Sequence, residues 1–237
     1  MRVDLLSPLS GVDVALPAPL TEAAIPAFPI PEPRDILKRE VKIGPKGVFT
    51  SSEERSKEWR FHGKERTKTL TIGPQVVVVQ HTTYQAYELV KAEFIGILDR
   101  LAELFPDLKS QRVGLRYVNE IKLEETNPTS WSSYLAPQLL SVFEFPTEGH
   151  RPALSRVLHN LELSFVDFNL RYRFGMHNPD YPAPIRQKLF ILDLDAYTKS
   201  VVEIKDVGRL LDNFHACIQQ YFEQSITDDL RRILNGA

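Results

Sequence analysis

Apolar residues along this chain recur with two different periods, and the switches between them mark its elements. From Tyr84 to Phe105, the residues Tyr87, Val90, Phe94, Ile97, Leu98, Leu101 and Leu104 return every three or four positions. That spacing predicts an amphipathic helix of about six turns, with Thr83 as its cap and Pro106 as its stop. From Arg112 to Leu123 the period is two. Val113, Leu115, Tyr117, Asn119, Ile121 and Leu123 fall on one face, and Gly114, Arg116, Val118, Glu120 and Lys122 on the other, which predicts a half-buried strand. Trp59 to Glu65, Thr67 to Ile72 and Gln75 to Thr82 read as three strands of an antiparallel meander around Gly63-Lys64 and Gly73-Pro74.

The remaining segments are read the same way. Val41 to Phe49 is a short strand interrupted over Gly44, Pro45 and Gly47, Ser51 to Lys57 a polar turn, and Trp131 to Phe143 a short helix or helical loop flawed by Pro137. Phe145 to Pro152 and Asn178 to Pro184 are loops. Between Ser155 and Phe174 the apolar parity changes: Leu161, Leu163 and Phe165 share one register, Phe168, Leu170, Tyr172 and Phe174 the other. One flat strand cannot keep both sets inward, so a turn or bulge at Val166-Asp167 is required. Lys188 to Thr198 is the last strand, and Asp206 to Asn235 a long helix with a kink or fresh cap at Thr227-Asp228. Seven of the 17 prolines lie in the first 33 residues. Because proline removes a ladder donor, residues 1–33 read as an extended arm with at most an edge strand, Leu20 to Ile30. Residues 34–237 then form one α+β domain: a twisted antiparallel sheet packed on one face by the two long helices, its halves sharing a strands-then-helix order.

Composition narrows the function classes. Lys plus Arg is 29 against 31 for Asp plus Glu, a net charge of −2, which excludes a wholesale basic coat for nucleic acid but not a local patch. The single Cys217 excludes an internal disulfide and a cysteine-rich zinc site. No run approaches the roughly 20 apolar residues of a membrane span, and the first 20 residues do not read as a signal peptide, so the expectation is a cytoplasmic protein without membrane contact. Phosphate-loop, dinucleotide, zinc-protease and nucleophile-elbow patterns do not occur, and no cofactor or metal is expected.

What remains is one polar sheet face. Arg116, Glu120 and Lys122 share a strand; Arg171 and Arg173 alternate with Leu170, Tyr172 and Phe174; Asp193 and Asp195 alternate with Leu192 and Leu194. If these strands are neighbours, the face is either a solvated field of cross-strand ion pairs or a binding groove in which planar guanidinium groups meet anions. Asp193 and Asp195 could also share a divalent ion, the arrangement of a metal-dependent hydrolase or nuclease. Tyr117 and Asn119 point to the opposite face, where an inward Asn needs a hydrogen-bond partner and acts as a structural pin.

The stretch Arg112 to Ile121 contains Gly-Leu-Arg-Tyr-Val-Asn. It resembles the signature strand, Gly-Leu-Arg-Tyr-(Ile/Val)-Asn, of a sporadically distributed bacterial and archaeal family of uncharacterised proteins of about this length. Pro19 to Ala23, Leu192 to Tyr197 and Phe222 to Arg231 agree with it, so the resemblance runs from about residue 18 to the end. The Pro-rich stretch after Ala24 departs from the apolar strand expected there. The family carries no assigned activity. Its patchy distribution implies carriage on mobile elements and a role beside defence or toxin–antitoxin systems. Taken together, the expectation is a non-enzymatic binding module with a protein partner or a second copy of itself, and nucleic acid as the alternative ligand.

Overall fold

A computed structural model describes residues 1–43, 49–84, 86–141 and 153–236. Among them are eleven strands and five α-helices, and every strand pairing with a defined register is antiparallel. They divide into two compact units: Met1–Gly114 with Thr198–Leu211, and Leu115–Tyr197 with Asp212–Ala237. The division does not fall between an arm and a domain as the proline count leads one to expect.

The first unit is built around the expected meander: β4 (Phe49–His62), β5 (Lys68–Gly73) and β6 (Val76–His81) lie side by side. Beside β6 lies β1 (Arg2–Leu5), which pairs on its other side with β7 (Lys109–Leu123) through residues 110–114. The chain start is therefore an interior strand. Val3 and Leu5 are fully buried, and the Met1 amino group donates to the Val79 carbonyl at 2.8 Å. The edge strand expected over Leu20 to Ile30 is instead α1 (Ala18–Ala24) followed by β2 (Ile30–Pro31). Pro17 caps the helix and Pro19 stands in its first turn, where proline lacks only a donor the helix does not use.

Ser51 to Lys57 is no turn. It belongs to β4 and pairs residue by residue with β3 (Arg34–Ile43). With polar residues on both faces, the period-two signal vanishes from its sequence. The gap at Gly44-Pro45 lies outside the described residues. The helix α2 (Tyr87–Leu104) packs on α1 and β6 through Phe94, Ile97, Leu98 and Leu101, all buried. It is capped at Ala86 without a side-chain bond, not at Thr83. The two-residue β11 (Val202–Glu203) pairs with the start of β7.

In the second unit the order is β7, β10 (Lys188–Tyr197), β9 (Asn169–Met176), β8 (Val157–Ser164). The parity change is a hairpin turn: the Phe165 amide donates to the Phe168 carbonyl at 2.8 Å, and β8 and β9 pair without a break in register. Pro137 opens the short α3 (Pro137–Leu140) instead of flawing a longer helix, again as a first-turn proline. Residues 142–143 of that expected helix and the expected loop up to Pro152 lie outside the described residues. The terminal helix is two helices, α4 (Val207–Ser225) and α5 (Asp228–Leu234), with Thr227 accepting from the Leu230 amide at the new start. From Asp212 onward, α4 covers one face of this unit's sheet. Phe214 meets Phe168 at a tilt, Tyr221 meets Tyr172 edge to face, and the Tyr172 hydroxyl meets Ser225 Oγ at 2.6 Å.

Candidate binding face of the second unit

Alternation sends the residues opposite Tyr172 and Leu194 to the face turned away from α4. There β9 and β10 set Arg173 opposite Asp193 and Arg171 opposite Asp195, and β7 brings Arg116 in from the far side of β10. The three neighbouring strands therefore do gather the arginines and aspartates on one surface.

Asp193 is the centre of the cluster. Arg116 grips it with both prongs, Nε to Oδ1 at 2.7 Å and Nη2 to Oδ2 at 2.9 Å. Arg173 Nη2 reaches the same Oδ2 at 2.6 Å. The carboxylate in turn holds the Arg116 guanidinium above its ordinary range, chiefly through this hydrogen bond. A bidentate pair of this kind is stronger and more directional than an ordinary surface ion pair. Arg171 is fixed by a different acid. Its Nε donates to Glu162 Oε2 at 3.0 Å, and its guanidinium lies over the Tyr197 ring, 5.5 Å from the centroid. Tyr197 donates its hydroxyl to the same Glu162. Glu162 and Tyr197 are the members that the sequence reading did not pick out. The alternation of Glu162 with Leu161 and Leu163 is the signal that places it on this face.

Depth separates the charges. Asp193 and Asp195 are only 5% and 8% exposed, whereas the side chains of Arg116, Arg171 and Arg173 are 51%, 38% and 38% exposed. Aspartate is short and lies against the sheet; arginine is long and lies over it. The surface offered to a ligand is therefore a layer of oriented guanidinium groups backed by buried carboxylates. Glu120 and Lys122 are exposed further along β7 and stand outside the cluster. The face is neutral in total, with Arg116, Arg171, Arg173 and Lys122 against Asp193, Asp195, Glu162 and Glu120. Val118 and Leu158 add exposed apolar surface beside it.

Tyr117 and Asn119 of β7 lie on the covered face. The Asn119 amide donates to the Leu192 carbonyl at 3.2 Å, pinning β7 to β10, and the Tyr117 hydroxyl meets His215 Nδ1 of α4 at 3.3 Å. Arg116 thus belongs to one surface, Tyr117 and Asn119 to another.

With respect to metals, Asp193 spends both oxygens on guanidinium groups. No group of three or more His, Cys, Asp or Glu among the described residues is placed to hold a metal ion. Burial raises the Cys217 thiol above its ordinary range, away from the thiolate a nucleophile needs. No helix among the described residues is long and apolar enough to cross a membrane.

A second cluster in this unit is structural. The Lys188 side chain is almost wholly buried. Its Nζ lies 5.2 Å and 4.9 Å from the ring centroids of Trp131 and Tyr134, and it donates to Glu125 at 2.5 Å. The same segment is tied to the junction of α4 and α5 by Ala136 N to Ser225 O and Thr227 N to Tyr134 O. Comparison with protein-family models, with curated proteins and with solved structures finds no match.

Proposed function

We propose that this chain is a non-enzymatic binding module that docks an acidic segment of a partner protein on the open face of the second unit. The observation that carries the proposal is the depth ordering of charge, exposed Arg116, Arg171 and Arg173 over buried Asp193 and Asp195. Each guanidinium is already oriented by a carboxylate, so little side-chain entropy is lost when a second carboxylate approaches from solvent. Arginine is enriched at protein interfaces, and Val118 and Leu158 add exposed apolar area beside the three guanidinium groups. Nucleic acid is the second reading, favoured by the planar arginine forks, but a face of zero net charge releases few counterions. A metal-dependent hydrolase would have to displace Arg116 and Arg173 from Asp193.

We further read the two units as related halves. With β2, β3 and the two-residue β11 as additions, each presents in the same order a strand, a short helix, a three-strand meander and a long helix: β1, α1, β4 to β6, α2, and then β7, α3, β8 to β10, α4. The resemblance of the signature strand extends the proposal to a cytoplasmic accessory of a mobile-element, defence or toxin–antitoxin system.

The test is an Arg116→Glu/Arg173→Glu double variant, compared with wild type and with a surface control, Arg232→Glu. The reading predicts one stoichiometric partner that wild type and control retain and the double variant loses. Retention by all three overturns it. Salt-dependent binding of a single-stranded or duplex oligonucleotide, lost in the double variant, would instead establish the nucleic-acid reading.

A further inference from the structure

We infer that the chain forms a two-fold dimer by pairing β8 with β8 of a second copy, antiparallel, with Leu161 on the axis. The inference rests on the sheet edge and not on the guanidinium face, so either can fail without the other. In the second unit β8 is last in the strand order; it pairs with β9 along all eight of its residues, and no strand among the described residues pairs with its outer side.

The structure also fixes which backbone groups face outward. The Phe165 amide donates inward to Phe168, and the Val157 carbonyl points at β9 closely enough that a Cβ on Gly175 would come within 2.0 Å of it. In an antiparallel ladder the hydrogen-bonding direction alternates. Odd-numbered residues of β8 therefore bond to β9, and Leu158, Asn160, Glu162 and Ser164 direct their N–H and C=O groups away from it.

Natural edges are blunted by lysine, proline or a bulge. β8, Val-Leu-His-Asn-Leu-Glu-Leu-Ser, has none of these, and its one charged residue, Glu162, is engaged by Arg171 and Tyr197 on the sheet face. It is also its own complement. An axis at Leu161 sets Asn160 opposite Glu162 and Leu158 opposite Ser164, so outward groups meet outward groups throughout. On the apolar side it sets Leu161 against itself, His159 against Leu163 and Val157 against Phe165. This joins Leu161 and Phe165, 40% and 39% exposed in the single chain, into one row. No like charges oppose each other. Moving the axis to His159 or Leu163 leaves part of that row unmatched. Moving it to Glu162 sets that carboxylate against itself, moving it to Asn160 leaves Phe165 without a partner in β8, and placing it midway between two residues opposes outward groups to inward ones.

The experiment is the solution mass of the full chain and three variants by sedimentation and native mass spectrometry. Wild type is expected at twice the 27.1 kDa chain mass. Asn160→Pro removes one outward N–H and no bond to β9, and is expected at the single-chain mass with an unchanged circular dichroism spectrum. Leu161→Lys and Leu161→Glu place like charges on the axis and are each expected to be monomeric; mixed, they form a dimer holding one of each. In wild type, the amides of Leu158, Asn160, Glu162 and Ser164 exchange slowly with solvent, a readout that needs no substitution. A monomeric wild type, a dimer that survives Asn160→Pro, fast exchange at those four amides, or no mixed dimer each overturns the inference.

Discussion

Each unit has a strand with one partner among the described strands, β3 in the first and β8 in the second, and the two sequences differ sharply. In the first unit no strand among the described residues pairs with β3 besides β4, and its sequence is rich in charge, six residues of ten, beginning with Arg34 and Asp35. Its neighbour β2 is two residues long, contains Pro31 and is flanked by Pro29 and Pro33. These are the devices by which an edge avoids accidental pairing. In the second unit β8 is equally regular, yet carries a single carboxylate, Glu162, already engaged by Arg171 and Tyr197 on the sheet face. The contrast teaches that solvent exposure alone does not define an interaction edge; it is the absence of protection that separates β8 from β3.

The largest effect expected comes from breaking the β8 ladder. Gly175 has φ +151° and its missing Cβ would overlap the Val157 carbonyl. Gly175→Ala must displace backbone, costing about 3–4 kcal/mol by chemical denaturation. Loss of β8 amide protection with the rest of the sheet kept would show that the edge is held at this point.

Alkaline pH gives the next effect. Burial beneath α4 raises the Tyr172 hydroxyl from its ordinary value of 10 to about 12. The neutral form is thus favoured in the folded chain. Its contribution is complete below pH 10 and is lost as pH rises from 10 to 12, roughly 2–3 kcal/mol in all. Tyr172→Phe should flatten that limb of the stability profile. The opposite sign applies to Glu32 in the first unit, which Arg34 first and Arg66 second hold down at about 2. Its smaller contribution is present above the ordinary carboxyl range and lost as pH falls towards 2, and Glu32→Gln should remove that acid dependence while leaving the alkaline limb intact.

Asp193→Asn leaves Arg116 and Arg173 half-exposed and able to find water, so about 1–2 kcal/mol is expected from thermal or chemical unfolding. The smallest effect is expected at the guarded edge. Lys57 and Asp35 are 4.0 Å apart in the β3–β4 hairpin, with Asp35 open to solvent. Lys57→Ala should change stability by less than about 0.5 kcal/mol, an outcome that separates protective charge from stabilising charge.

Much of this was legible in the period of the sequence. The two long helices, the meander of β4 to β6 and the alternation of β7 follow from spacing, because each buries one face. The hairpin at Val166-Asp167 follows from a parity conflict, and its pairing is what sets Arg171 and Arg173 opposite Asp195 and Asp193. β1 was illegible because four residues are too short a window for a period. Ser51 to Lys57 was illegible because a strand with two polar faces has no alternation. Pro19 and Pro137 misled because proline ends a helix in its interior but starts one in its first turn. On the candidate face, alternation identified which residues share a surface. It carried no information on depth, which depends on side-chain length above the sheet and on Glu162 and Tyr197 arriving from β8 and β10.

The most direct measurement of the central claim is native mass spectrometry of the chain purified from its host, wild type against Arg116→Glu/Arg173→Glu. The account predicts an acidic protein bound to wild type and lost from the double variant, while the mass of the chain's own assembly stays the same in both. A wild-type chain that carries no partner, or a partner retained equally by the double variant, would contradict it.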